Sequence, residues 1–118
     1  MSATSRPVEL TQEGVSAADV VAVARGGARV SISAGAREAL VRGASVVAGL
    51  AESEQPAYGV TTGFGALATV YIPTDRREEL QRALIRSHAA GMGAPVEREV
   101  VRAMMLLRAR TLCMGCSG

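Results

Sequence analysis

Lysine and tryptophan are missing from these 118 residues, and aromatic side chains are scarce, with two tyrosines and one phenylalanine making up 3%. Hydrophobic residues nevertheless reach 48%, so the apolar mass is alanine, valine, leucine, isoleucine and methionine, which suits packed helices better than a β-sandwich. All 13 Lys/Arg positions are arginine, against 11 acidic residues, for a net charge of +2. The two signs alternate along the helical stretches, which excludes the one-sided basic footprint of a nucleic-acid binder. Only two cysteines are present, Cys113 and Cys116, too few and too close for the disulfide framework of a small secreted domain. The segment Met1–Pro7 has no apolar core of a signal peptide, and the longest aliphatic run, Val20–Ala24, falls far below the ~18 residues of a membrane span. A cytoplasmic protein without a membrane partner is expected.

The chain reads as mainly α, with one or two short strands near its N-terminus. Residues 1–14 read as a loosely ordered terminus in which Val8-Glu9-Leu10 is a short strand. Ser16 is placed to cap a helix over Ala17–Ala24, and Gly26-Gly27 supplies its stop. Ala28–Ser33 alternates with period two, a strand with Val30 and Ile32 on one face, and Ser33 caps the next helix, Ala34 to about Ser53. That helix carries Leu40, Val47 and Leu50 near one stripe and two internal glycines, Gly43 and Gly49, which weaken a continuous rod. Beyond a polar break, Asp75 and Glu78 have capping-box spacing for a helix from Arg76 to Ala90. Its inward face is expected to hold Leu80, Leu84, Ser87, His88 and Gly91. Pro95 opens a last helix, Val96 to about Met114, whose Val96, Val100, Val101, Met104, Met105, Leu107 and Leu112 cover well over half its girth, as in a helix surrounded by others. No repeat and no internal domain boundary is evident.

The stretch Ala57-Tyr58-Gly59-Val60-Thr61-Thr62-Gly63-Phe64-Gly65 stands apart from this background. It holds one of the two tyrosines, the sole phenylalanine and three alternating glycines, which let a backbone bend sharply and approach a ligand closely. The plain alternative for Tyr58 is a packing residue with its hydroxyl on a partner. Gly63–Ala68 also fits the dinucleotide pattern G-x-G-x-x-A, but Thr69–Pro73 is β-branched and ends at a proline, so no helix opens there to receive a pyrophosphate. His88, the only histidine, is by itself more often a satisfied core residue than a catalyst. Cys113-Met114-Gly115-Cys116 is a C-x-x-C without the second ligand pair of a zinc site or the βαβ context of a redox site, and it reads as small residues at a helix end, so no metal is expected. A Ser-His-Asp hydrolase lacks its G-x-S-x-G elbow.

Tyr58-Gly59-Val60-Thr61-Thr62-Gly63-Phe64-Gly65, followed by Ser87-His88-Ala89-Ala90-Gly91-Met92-Gly93, resembles two motifs of the aromatic amino acid ammonia-lyases, in the family's order and at its spacing, and the resemblance runs from about Ser16 to Gly118. It implies a single incomplete N-terminal segment, residues 1–118, of a larger helical lyase that works as a homotetramer on a small amino acid. It also implies an electrophilic 4-methylidene-imidazol-5-one, made in the family from an Ala-Ser-Gly downstream of this segment. On that resemblance Tyr58 takes the proton from the substrate's β-carbon, in an active-site loop of Gly59, Thr61, Thr62, Gly63, Phe64 and Gly65. A phenol of ordinary pKa, about 10, is only ~0.1% ionised at neutral pH, so such a base needs nearby donors or positive charge. Ser87 and His88 match the pair that contacts the substrate ring, and their identity implies histidine as substrate and urocanate as product. Thr61 points the other way, towards phenylalanine or tyrosine lyases. An aminomutase of the same superfamily and a non-enzymatic helical interaction module are the alternatives. Without the electrophile, the 118 residues alone are expected to be inert.

Overall fold

The computed structural model describes residues 6–116. Packing divides the chain into two compact units, one formed by the residues up to Ala44 together with those from Pro95 on, the other by Ser45–Ala94.

The first unit begins with β1 (Val8–Leu10), which pairs in parallel with β2 (Val30–Ile32) in the register Val8–Val30, Glu9–Ser31 and Leu10–Ile32. A parallel pair needs a crossover, and α1 (Ala17–Ala24) provides it. Ser16 caps α1 with a reciprocal arrangement: Asp19 N donates to Ser16 Oγ at 3.1 Å, while Ser16 N and Oγ donate to Asp19 Oδ2 at 3.1 and 2.7 Å. The helix ends at Ala24 with Arg25 as its C-cap, and Gly27, with a φ of 67°, turns the chain towards β2. Ser33 Oγ then accepts from Ala36 N at 3.2 Å and opens α2 (Ala34–Glu52). All these starts and stops fall where the capping and glycine signals put them.

Val8, Leu10, Val23, Ala28, Ala36, Leu106 and Cys113 form the core of this unit, with Val15, Val20, Ala22, Leu40 and Ala109 packed around it. Leu106 and Cys113 come from α4 (Arg98–Cys113), which lies against α1. Leu106 is the large α4 residue that is buried, although the apolar residues read from the sequence included Leu107, which is 46% exposed, and not Leu106. A helix that is apolar on most of its girth does not say which side faces in; here the packing of α1 decides it. The face carrying Met104 and Met105 remains uncovered in this chain. Cys113 behaves as a small core residue, Cys116 is exposed, and neither forms a disulfide. Among the described residues there is no cluster of three or more metal-ligating side chains, and no helix is long and apolar enough to cross a membrane.

α2 runs unbroken through its glycines, and the site of a Cβ on Gly49 has no neighbour within 4 Å among the described residues. After α2 come the 57–65 stretch, a 3₁₀ turn at Gly65–Leu67, another at Thr74–Arg76, and α3 (Arg77–His88). The expected capping box of Asp75 and Glu78 does not form. Arg76 stands at the N-cap but its side chain caps no backbone N–H, and the acids of the first turn bind arginines instead: Glu78 accepts from Arg82 at 2.6 Å and Glu79 from Arg76 at 3.2 Å. α3 leaves the helical path at Ala89 (ψ 53°), before Gly91, so Gly91 is not part of its face.

Candidate active site

The Tyr58 stretch is a tied turn. Thr61 N and Val60 N both donate to Ala57 O, at 2.9 and 3.0 Å. Thr61 Oγ1 accepts from Ala57 N at 2.8 Å and donates to Gln55 O at 3.2 Å, so one buried hydroxyl closes both sides of the turn. Thr62 Oγ1 accepts from Gly59 N at 3.3 Å and donates to Gly63 O at 3.1 Å. Thr61 and Thr62 are 0% and 3% exposed, so both act as internal struts.

The glycines are required by specific contacts. Gly59 has a φ of 71°, and a Cβ there would lie 2.7 Å from Phe64 Cε1; a Cβ on Gly63 would lie 2.6 Å from Leu67 Cβ and 2.8 Å from Leu67 O. Close approach at these two positions folds the loop back on itself and brings Phe64 against Tyr58, ring centroids 5.8 Å apart and planes at 78°, the favourable edge-to-face arrangement. Gly65 N then donates to Tyr58 Oη at 3.2 Å. The phenol is thus gripped at its ring and its oxygen, yet it is 65% exposed. The backbone N–H fixes where the oxygen sits, and its exposure lets it reach another molecule.

A short antiparallel bridge between Thr62 and Tyr71 fastens the loop to the 70–72 segment, with Gly63 N donating to Val70 O (3.1 Å) and Ile72 N to Thr61 O (2.9 Å). α3 continues the fastening. Arg77 Nε donates to Ile72 O at 3.1 Å and Nη2 to Tyr71 Oη at 2.9 Å, while Gln81 Nε2 reaches Gly59 O at 3.4 Å. At 3.6 residues per turn, Arg77, Gln81, Leu84 and His88 fall within about 60° of one another on the helix. That stripe, rather than the Leu80-centred one, is the side of α3 that meets the loop. His88 stands on it about 10 Å along the axis beyond Gln81, and Ser87 lies towards its edge.

Ser87 and His88 are both exposed, and among the described residues their side chains bond only to each other and to Leu84 O. A carbonyl only accepts, so His88 Nδ1 at 2.9 Å from Leu84 O carries the ring proton. With the ring proton on Nδ1, Nε2 is the nitrogen left to accept a hydrogen bond. Ser87 Oγ donates to Leu84 O at 2.9 Å and lies 3.0 Å from Nδ1. The structure brings together the loop residues expected of the site. It places the Ser87–His88 pair at the far end of the helix that anchors them, and among the described residues no hydrogen bond joins pair and loop. Arg77 and Gln81 went unread in the sequence because a charged or polar residue on an Arg/Glu-rich helix looks like a solvated face.

The sequence model of the aromatic amino acid lyase family matches residues 15–118. The chain belongs to that family. Histidine ammonia-lyases of Streptomyces avermitilis and Streptomyces coelicolor are 57% and 58% identical to this lyase segment over 105 residues, covering 89% of it and 20% of each enzyme. The histidine ammonia-lyase of Treponema denticola is 46% identical over 113 residues, 96% of this chain and 22% of that enzyme. Among solved structures, ergothionase from Treponema denticola superposes with a TM-score of 0.89 at 29% identity, and tyrosine aminomutase from Streptomyces globisporus with 0.83 at 33%. Each match covers 93% of this chain, and 22% and 21% of the respective structures. The chain thus spans about one fifth of the length of the curated relatives it matches.

Proposed function

We propose that these residues form one wall of the active site of a histidine ammonia-lyase, with Tyr58 as the base that removes the substrate's β-proton. The observation that carries this reading is the Tyr58 phenol itself, held by Phe64 and by Gly65 N–H yet open to another molecule. The proton passes from the β-carbon to Tyr58 Oη, the C–N bond breaks, and ammonia leaves an α,β-unsaturated acid, urocanate when histidine is the substrate. His88 Nε2 accepts an N–H from the substrate imidazole, a bond that a phenyl ring cannot offer. Ser87 steadies the His88 ring.

The family's methylidene-imidazolone supplies the electrophile that activates the substrate. This chain contains no Ala-Ser-Gly from which to make it, so its residues do not form that group. The 118-residue chain by itself accordingly releases no ammonia. A homotetramer and a cytoplasmic setting belong to the same proposal for the whole enzyme.

Thr61 has a role in the turn that does not involve the substrate ring. Its hydroxyl is fully buried and used by Ala57 N and Gln55 O, so its identity serves the turn. The similarity to tyrosine aminomutase supports a second reading, in which the ammonia returns to the β-carbon. A helical interaction module rests only on the exposed apolar face of α4. The discriminating experiment supplies L-histidine, L-phenylalanine and L-tyrosine separately to protein expressed from the complete reading frame and follows product absorbance. Urocanate from histidine alone is expected. Cinnamate or coumarate would refute the Ser87–His88 assignment, and a β-amino acid would favour the aminomutase.

A further inference from the structure

We infer that Arg77 is a positioning residue for Tyr58, setting the active-site loop from the first turn of α3; the inference rests on the reading of Tyr58 as the proton acceptor. Arg77 is only 8% exposed, unusual for an arginine at a helix start. Its Nε and Nη2 hold Ile72 O and Tyr71 Oη, and its guanidinium carbon lies 5.4 Å from the Tyr71 ring centroid. Those two residues are the ones bridged to the loop: Tyr71 pairs with Thr62, and Ile72 N donates to Thr61 O. Thr61 in turn closes the Ala57 turn that carries Tyr58. A series of hydrogen bonds therefore runs from one guanidinium through Ile72 and Thr61 to the backbone of Ala57, the residue next to the reacting phenol.

Stability alone does not account for this arginine. Its Nη1 is buried without an acceptor, and among the described residues it makes no ion pair. A buried, unneutralised guanidinium with an unmade bond is costly, and an apolar side chain of similar length would often serve folding as well or better. What the apolar substitute cannot do is hold Ile72 O and Tyr71 Oη at once, and with them the register of the bridge. The same logic gives Tyr71, which belongs to no recognised motif, a role as the lower jaw of this clamp.

The test is kinetic, on the enzyme expressed from the complete reading frame with L-histidine as substrate. Arg77→Met is expected to fold, with an unchanged helical signal, and to lose about 10- to 100-fold in kcat with KM within about twofold, since a small displacement of a reacting group costs that much. Tyr71→Phe, which removes one bond of the clamp, is expected to lose only a few-fold, and Arg77→Lys to fall between Met and wild type. A merely structural role would lower the amount of folded enzyme without splitting kcat from KM. The double variant Tyr58→Phe with Arg77→Met separates the two layers of the argument. If Arg77 acts through Tyr58, the pair is no slower than Tyr58→Phe alone. Additive losses overturn the inference, as does full kcat in Arg77→Met beside an inactive Tyr58→Phe. Full activity in Tyr58→Phe instead overturns the reading of Tyr58 itself.

Discussion

Replacing Gly63 by alanine tests whether the loop's fold depends on close backbone approach. The new Cβ would meet Leu67 Cβ at 2.6 Å and Leu67 O at 2.8 Å, separations that real Cβ atoms do not tolerate. Leu67 O is backbone, and its turn is fixed by Leu67 N donating to Phe64 O at 2.9 Å, so relief requires moving the whole Gly65–Leu67 turn. That movement pulls on Phe64 and on Gly65 N, the two contacts of Tyr58. Overpacking of this kind costs on the order of 2 kcal/mol, or roughly 30-fold in a local opening equilibrium. Gly65→Ala is the control: its φ of 56° makes alanine unfavourable by about 1 kcal/mol, but nothing lies within 4 Å of its Cβ. The assay is native-state amide exchange of the 118-residue chain, read at Thr61 N and Ile72 N, which report on the Ala57 turn and the bridge. Gly63→Ala should accelerate both about 30-fold, several times more than Gly65→Ala. Equal exchange in Gly63→Ala and wild type would refute the claim that this approach holds the loop together.

Other outcomes rest on the same geometry. His88→Leu removes the free Nε2 acceptor and is expected to lower turnover of L-histidine at least tenfold relative to L-phenylalanine, measured as a ratio of kcat/KM for the two substrates in the enzyme from the complete reading frame. Leu106→Ala empties the centre of the first unit and should cost about 2–5 kcal/mol in denaturant unfolding, against under about 0.5 kcal/mol for a polar substitution at the exposed Met105. The two Ser16 bonds, and then Arg6, hold the Asp19 carboxyl below its ordinary value of 3.8. Because the folded value is the lower one, Asp19 stabilises α1 fully above pH 3.8 and loses that contribution as the pH falls through the folded value. Thermal melts should therefore separate wild type from Asp19→Asn near neutral pH and bring them together in strong acid.

Much of the first unit was legible because its punctuation is local. Ser16 before an alanine- and valine-rich octet, Gly26-Gly27 after it, and Ser33 before the next helix each act through their own backbone, and the helix bounds fall there. Leu106 was not legible, because α4 is apolar on nearly every side and only its packing against α1 selects the inward residue. The composition of the 57–65 stretch marked it as special, and the glycines at 59 and 63 prove to be forced by Phe64 and Leu67. Its turn could not be read because it depends on a threonine side chain bonding backward to Ala57 and Gln55. Arg77 was hidden for a related reason: neighbouring Arg76 and Arg82 do form exposed ion pairs, and only the fold distinguishes the one arginine turned inward. Ser87 and His88 were found through a motif, and α3 then supplied what the motif did not, the Leu84 carbonyl that fixes the imidazole proton.

The most direct test of the account measures ammonia release from L-histidine by the enzyme of the complete reading frame and by its Tyr58→Phe variant. Phenylalanine keeps the ring against Phe64 and removes only the oxygen, so the helical signal should be unchanged while kcat falls by about 10²- to 10⁴-fold, the usual worth of a positioned base. A variant that releases ammonia within tenfold of the wild-type rate would contradict the assignment of Tyr58 as the group that takes the proton.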